Sequence, residues 1–411
     1  MSEENPEIPT PSGAILCLGE VIADLVCETE LDPGERPRHF VAHPGGALAN
    51  VAVAASRAGS AAAVAGGVGD DETGRWLLQG LRDEGVNVDW VAEVEGADTP
   101  VALVMFDSHR EPRFQVYGEH IGATMLAAAP RLSEAVSSSA ALVIGSNTMV
   151  GETERAVTVE AVLIAQENGV PVLFDPNFRP NRWDDPELAA EYCRQLCAES
   201  AVLKCNRHEA ELMTGLADPV ESAARLSKMG PRLVVVTAGA DQVVTAGAVS
   251  TGFTPEPAEV ISPLGAGDTF MGTFAAGLAK LDWDFSRADE ALPEAVDQVL
   301  IVSCDTPLVR PDGLDWFVRA SLDSGAALCY SVLDQRTCVG PFAGVRKTWV
   351  RVREGTMAGG NLGPAIVPGN AEESLLVKLQ REGHPNSLPP QELDWIIQWI
   401  NAGAPESQPQ S

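Results

Sequence analysis

The stretch SPLGAGDTFMG, residues 262–272, sets three small residues, Gly265, Ala266 and Gly267, ahead of a single carboxylate, Asp268, and then enters an apolar segment of helical character. Glycines let a backbone approach a bulky group closely, and successive N–H groups at a helix start hold negative charge. The carboxylate itself repels anions, so its partner must be something else, and a hydroxyl whose proton it accepts meets that need. An anion cradle beside a base is the equipment of phosphoryl transfer. Taken alone, the same residues read as readily as a Gly-rich turn with Asp at the N-cap of an apolar helix.

Such residues need a scaffold, and the rest of the chain supplies a regular one. The runs AILCLGEVIADLV, AAAVAGGVG, AALVIGS, PVLFDPN, AVLKCN and RLVVVTAG read as strands, while GGALANVAVAASRAG and DETGRWLLQGLRDEG read as helices. This β–α alternation predicts an α/β fold, a mostly parallel sheet with helices on both faces. Ligands of such sheets bind beyond the carboxyl ends of the strands, where Asp24, Asp175, Asn177, Asn206 and Gly239 then fall. Residues 25–43 and 98–118 break the rhythm, reading as extended, with DSHREPR as a hairpin tip. They predict a small antiparallel flap, serving as a substrate lid or as a contact between two copies of the chain.

Composition narrows the function further. The 411 residues are enough for two or three domains, and 45% apolar content allows a substantial core. A formal charge of -30, from 58 acidic and 28 basic residues, argues against nucleic acid or an anionic membrane as partner. The start, MSEENPEIPTPSG, is acidic and Pro-rich, without the basic and apolar regions of a signal peptide. With no apolar run of about eighteen residues, a cytoplasmic protein is expected. The eight cysteines, Cys17, Cys27, Cys193, Cys197, Cys205, Cys304, Cys329 and Cys338, sit mostly in apolar segments and read as reduced core thiols. Cys193 and Cys197 have no second pair nearby, so no zinc site is expected.

Several elements occur in a set order: GEVIAD, GGALAN, GGVGDDETG, DPNFRP with Trp183 shortly after, KCNRHEAELMTG, VVVTAGAD and PLGAGDTF. This order resembles the ribokinase-like, or PfkB-type, sugar kinases, and among them the fructokinase and 2-keto-3-deoxygluconate kinase branch, over residues 13–320. The resemblance implies a Rossmann-like core with a β-lid, ATP as phosphoryl donor, Mg2+, and a small sugar as acceptor. It assigns Asp268 as catalytic base and the N–H groups of Gly265, Ala266 and Gly267 as the anion hole. Asp24, Gly45, Gly46 and Asn50 match positions that hold sugar hydroxyls, and a carboxylate, an amide and two glycines suit that task. Arg179 is implied as a contact for a substrate carboxylate or the transferring phosphate, its planar fork fitting both. Asn206 and Glu209 match an element that organises hydrated magnesium and phosphates, with Thr237 and Gly239 lining the nucleotide. Outside the resemblance, each of these has an ordinary structural reading as a cap, a helix start or a salt bridge.

The chain also departs from the family. Ser262 stands where Asp often serves a monovalent cation, and Leu264 replaces a small polar residue, which removes the basis for expecting potassium activation. Gln242 replaces a usual Gly, and the segment CDTPLVRPDGLDW after Cys304 differs from the usual loop beside adenine. Residues 1–12 and 406–411 are expected to be disordered. Residues 321–405 carry Gly/Pro punctuation around two short helices with few strand signals, and predict a small, mainly helical module. Its sequence resembles the C-terminal part of a c-type cytochrome domain of planctomycete-type secreted proteins. Gln335 and Val339 stand where that family has its first Cys and axial His, Cys338 is kept, and Leu388 stands for the axial Met, so haem is not expected. Beside the sugar kinase stand three other readings: a nucleoside or sugar-acid kinase, a catalytically silent sugar-binding regulator, and an electron carrier. The intact Asp268 turn argues against the second and the missing haem ligands against the third.

Overall fold

A strand whose residues are all buried needs cover on both faces, and the central apolar runs of this chain are of that kind. In the computed structural model, β1 (Ile15–Leu18) and β4 (Ala62–Gly69) are buried throughout, as are β8 (Ala141–Gly145) and β9 (Val172–Asp175). The structure describes residues 13–27, 37, 39–106, 112–117, 121–179, 182, 183, 185–239, 241–254, 265–293, 295 and 296, and farther along 330–333, 347–350, 370, 372, 397 and 401.

Those four strands join β5 (Asn87–Val94), β10 (Val202–Asn206), β11 (Leu233–Thr237), β12 (Val243–Gly247) and β13 (Gly252–Phe253) in one nine-stranded sheet. Its order is β13-β12-β11-β10-β9-β8-β1-β4-β5. Pairing is parallel from β11 through β5, and antiparallel only where β12 and β13 close the far edge. Alternate side chains then feed two cores. Ile15, Cys17, Val64 and Val143 pack on one face with α1 (Ala47–Arg57), α2 (Glu72–Asp83) and α9 (Ala266–Lys280). Leu16, Leu18, Ile144 and Phe174 pack on the other, with α3 (Ile121–Ala128), α4 (Leu132–Ser137), α5 (Glu152–Glu167), α6 (Pro186–Glu199), α7 (Arg207–Thr214) and α8 (Pro219–Leu226). This is the doubly covered, mostly parallel architecture predicted. Cys17, Cys27, Cys193, Cys197 and Cys205 are buried thiols.

A second sheet has the order β3-β2-β6-β7, formed by β2 (Ile22–Val26), β3 (Val41–Gly45), β6 (Val101–Phe106) and β7 (Pro112–Tyr117). It corrects two expectations. AILCLGEVIADLV is not one strand: it breaks at Gly19–Val21, leaving β1 in the main sheet and delivering β2 to the small one. A Cβ at Gly19 would lie 2.9 Å from the Cβ of Leu48 on α1, so the chain passes α1 too closely for a side chain there. The small sheet is also not wholly antiparallel, because β2 and β6 run parallel. The long connection between them, through α1, β4, α2 and β5, permits what a short hairpin cannot. The tip of the β6–β7 hairpin lies outside the described residues.

The chain divides into two units, Met1–Pro257 with Pro263–Val299, and Ala258–Ser262 with Leu300–Ser411. Within the second, the described residues include an antiparallel pair of strands, β14 (Tyr330–Leu333) and β15 (Lys347–Val350), where few strand signals were read. Ile397 and Asn401 are helical, within one of the two helices predicted there. The rest of those helices, the cytochrome-like positions Gln335, Cys338, Val339 and Leu388, the departures at Ser262, Leu264 and after Cys304, and residues 1–12 and 406–411 lie outside the described residues. Among the described residues, no helix is long and apolar enough to cross a membrane.

Candidate active site

The packing of α1 against α9 builds the centre of the site. The two helices approach so closely that a Cβ at Gly272 would collide with the Val51 carbonyl. One turn before that crossing, Asn50 on α1 meets Asp268 on α9, its Nδ2 donating to Asp268 Oδ2 at 3.0 Å. Asn177, in the loop after β9, donates from Nδ2 to Asp268 Oδ1 at 2.7 Å. Asn177 holds a left-handed backbone with φ 43, a conformation Asn tolerates better than most residues. Asp268 is therefore not an N-cap. Gly265 occupies the cap with φ 75, Ala266 and Gly267 open the helix, and Asp268 sits third with its carboxylate taken by two distant amides. The N-cap alternative gives way because Asp268 lies past the cap, in the first turn, and its carboxylate accepts from two amides distant in sequence.

The surroundings make that carboxylate basic. Asp268 is 5% exposed. Burial pushes its pKa up, the Asn50 amide pulls it down, nearby Asp175 pushes it up, and Arg179 and Lys204 pull it down, leaving it raised to about 6. Behind the first turn of α9, Lys204 on β10 donates to Asp175 Oδ2 on β9 at 2.8 Å, and both side chains are buried. A Cβ at Gly267 would lie 2.9 Å from Lys204 Nζ, so this ammonium lies against the turn that offers its N–H groups.

A cleft opens in front of Asp268. Of the residues singled out in the sequence, Asp24, Gly46, Asn50, Arg179, Gly265 and Asp268 line it. Gly45 lies just behind, where any Cβ would collide with the Asp24 carboxylate, and Gly46, with φ 103, has no room for one against the Glu20 carbonyl. Ala266 and Gly267 continue the turn from Gly265. Four residues without an assigned role also belong here. Glu20, Asn147 and Arg182 line the same cleft, and Lys204 supports the turn. A lone Lys inside the apolar run AVLKCN was the available signal for the last, because a charge in a fully covered strand must be paired.

Asn206, Glu209, Thr237 and Gly239 do not line the cleft. Asn206 and Thr237 are register partners at the ends of β10 and β11. Asn206 caps α7, its Oδ1 accepting from the Glu209 N–H at 2.9 Å, while Glu209 returns the bond to the Asn206 N–H at 2.8 Å. The other Glu209 oxygen accepts from the Phe178 N–H at 2.8 Å. Burial and then the neighbouring Asp175 raise the pKa of Glu209. The pair thus forms a capping box, Glu209 buried and Asn206 exposed, that ties the loop after β9 to α7. Thr237 Oγ1 donates to the Cys205 carbonyl at 3.4 Å, and Gly239, with φ 58, has open space beside it. Gln242 enters this region through its carbonyl, which accepts from the Ala238 N–H at 2.8 Å.

Residues 13–297 match the profile described as pfkB family carbohydrate kinase. Fructokinase-1 of Zea mays is 32% identical over 271 residues, 65% of this chain and 83% of the relative. A fructokinase of Klebsiella pneumoniae is 31% identical over 271 residues, 65% of this chain and 85% of its own length. Among solved structures, a fructokinase of Xylella fastidiosa with bound ATP superposes with a TM-score of 0.60 at 27% identity, covering 71% of this chain and 92% of that one.

Proposed function

Since this chain belongs to the pfkB family of carbohydrate kinases, a sugar phosphotransferase using ATP, we propose that its acceptor is fructose or a closely related keto-sugar and that Asp268 is the base. The observation that carries this reading is the placement of Asp268: buried, held by two amides, raised to about 6, and beside helix-start N–H groups in a cleft shared with Asp24 and Asn50.

The roles then follow from the chemistry. Asp24, with Gly45 and Gly46 admitting the ring, and Asn50 hold sugar hydroxyls. Asp268 takes the proton of the reacting hydroxyl as its oxygen attacks the γ-phosphorus of ATP, and the bond to the bridging oxygen breaks to release ADP. The N–H groups of Gly265, Ala266 and Gly267 face the charge that builds on the transferring group, with Lys204 adding positive field behind them. Arg179 adds a cation in front. The two amides orient Asp268, and its raised pKa keeps it a competent base near neutral pH. Thr237 and Gly239 supply the nucleotide side.

Magnesium accompanies ATP in such chemistry, supplying charge neutralisation between the phosphates. The residues here do not fit a protein-held ion: both Glu209 oxygens are engaged by backbone N–H groups, and no group of three His, Cys, Asp or Glu among the described residues could hold a metal. The ion is therefore placed with the nucleotide, and Asn206 and Glu209 act by fixing the loop that presents Asn177.

An ADP-release screen over fructose, ribose, 2-keto-3-deoxygluconate, tagatose phosphates and nucleosides tests the assignment. Fructose or a near relative should give the highest kcat/KM, and preference for a nucleoside would displace it.

A further inference from the structure

We propose that Asp71 and Thr99 form a clamp, outside the cleft, that fixes where Asp24 stands, which makes Asp71 a positioning residue of the phosphoryl transfer. The proposal rests on the assignment of Asp24 to the acceptor above.

The motif GGVGDDETG converges on Thr99, which lies 28 residues beyond Asp71 in sequence. Asp71 caps α2, its Oδ1 accepting from the Gly74 N–H at 2.7 Å. A cap needs no more than that. The same carboxylate takes two further bonds: Oδ1 accepts from the Thr99 hydroxyl at 2.8 Å and Oδ2 from the Thr99 N–H at 2.7 Å. The Thr99 oxygen accepts in turn from the N–H of Gly69, at the end of β4, at 3.0 Å. Thr99 is buried. Burial pushes the Asp71 pKa up, but the bonds from the Thr99 and Gly74 N–H groups outweigh it and hold the carboxylate below its ordinary range. The motif's glycines leave room for the clamp. A Cβ at Gly69 would collide with the Ala97 carbonyl, and one at Gly74 would lie 2.9 Å from Thr99 Oγ1.

From the clamp to the acceptor the path is short. Pro100 follows Thr99; its ring fixes φ and holds the residue before it extended, so little slack enters. The Pro100 carbonyl accepts from the Ala23 N–H at 3.1 Å, and Asp24 is the next residue of β2. On β6, Ala102 stands opposite Asp24 in the parallel pair, and both line the cleft. The small sheet that carries Asp24 is thus fastened through Thr99 to the end of β4 and the start of α2. The nucleotide residues Thr237 and Gly239 belong to the end of β11, with β10, β9, β8 and β1 between it and β4. Loosening the clamp therefore displaces the acceptor group and leaves the nucleotide side in place.

The full-length chain is assayed for fructose-dependent ADP release with each substrate varied in turn. Asp71→Ser keeps a capping oxygen for α2 on a side chain too short to hold Thr99 as well, so Tm should change little. Thr99→Val removes the hydroxyl at similar size, and Thr99→Ser restores it. Asp71→Ser and Thr99→Val should each raise KM for fructose by about ten- to a hundredfold, with KM for ATP held within about twofold. Thr99→Ser should return both to wild-type values. Because the two changes break one link, the double variant should be no worse than the weaker single one. Where Thr99→Val does not fold, Asp71→Ser carries the comparison. The proposal is overturned if KM for fructose is unchanged, if both KM values rise together, if Thr99→Ser is as impaired as Thr99→Val, or if the two losses add in the double variant. These outcomes leave the acceptor reading standing. A wild-type chain that does not phosphorylate fructose would remove both.

Discussion

At the scale of single residues, the chemistry depends on how Asp268 is kept ionised yet basic. Burial raises its pKa, while the Asn50 amide, Arg179 and Lys204 limit the rise. A base must be deprotonated to act, so kcat/KM should fall about tenfold per pH unit below about 6 and level off above it. Asn50→Ala removes a hydrogen bond that favours the charged form, so the acid limb should move to higher pH, visible in the same profile. Lys204→Met leaves Asp175 buried without its cation, beside Glu209 and Asp268. Breaking such a pair costs about 3–5 kcal/mol, read as a clear fall in Tm.

At the scale of elements, the site is a meeting of strand ends and helix starts that must approach within a side chain's width. Gly45→Ala would drive a methyl into the Asp24 carboxylate and displace it from the cleft. Misplacing a group that holds the acceptor should cost up to about 10²-fold in kcat/KM, measured with fructose, at little cost in Tm. This is also where legibility divides. The strands of the main sheet were readable because each is a short, continuously apolar run, a pattern that cover on both faces demands. The break within AILCLGEVIADLV was not, since periodicity does not say when a chain leaves one sheet for another; Gly19 and Glu20 were the only marks. The order of motifs named Asp24, Gly45, Gly46, Asn50 and Arg179, which the fold gathers around one cleft and its rim. The amides that hold Asp268 lie 218 and 91 residues away in sequence, and no local rule links them. The carboxylate was accordingly open to an N-cap reading. Asn206 and Glu209 carried a capping-box spacing from the start, and that local rule describes their bonds.

At the scale of the whole molecule, charge and burial act in the same direction. The chain carries a formal charge of -30. Burial raises Glu20, Glu209 and Asp268 above their ordinary range, so the folded state holds protons that the unfolded chain releases near pH 4. The stability that Asp268 contributes in this way is present below about pH 4 and is lost as pH rises through about 6, and Glu20 and Glu209 act in the same direction, so Tm should increase as pH is lowered from 7 toward 5. The family match ends at residue 297 and the first compact unit at Val299. A chain ending near residue 320 should keep its ADP-forming activity, and complete loss in a folded product would make the remaining segment part of the enzyme. The measurement that bears most directly on the account compares the wild-type chain with Asp268→Asn in fructose-dependent ADP release, alongside ATP binding by calorimetry. Loss of the base alone predicts turnover lower by about 10²–10⁴-fold with ATP affinity nearly unchanged. Turnover equal to the wild type would show that the proton leaves by another group, and the assignment of Asp268 would be wrong.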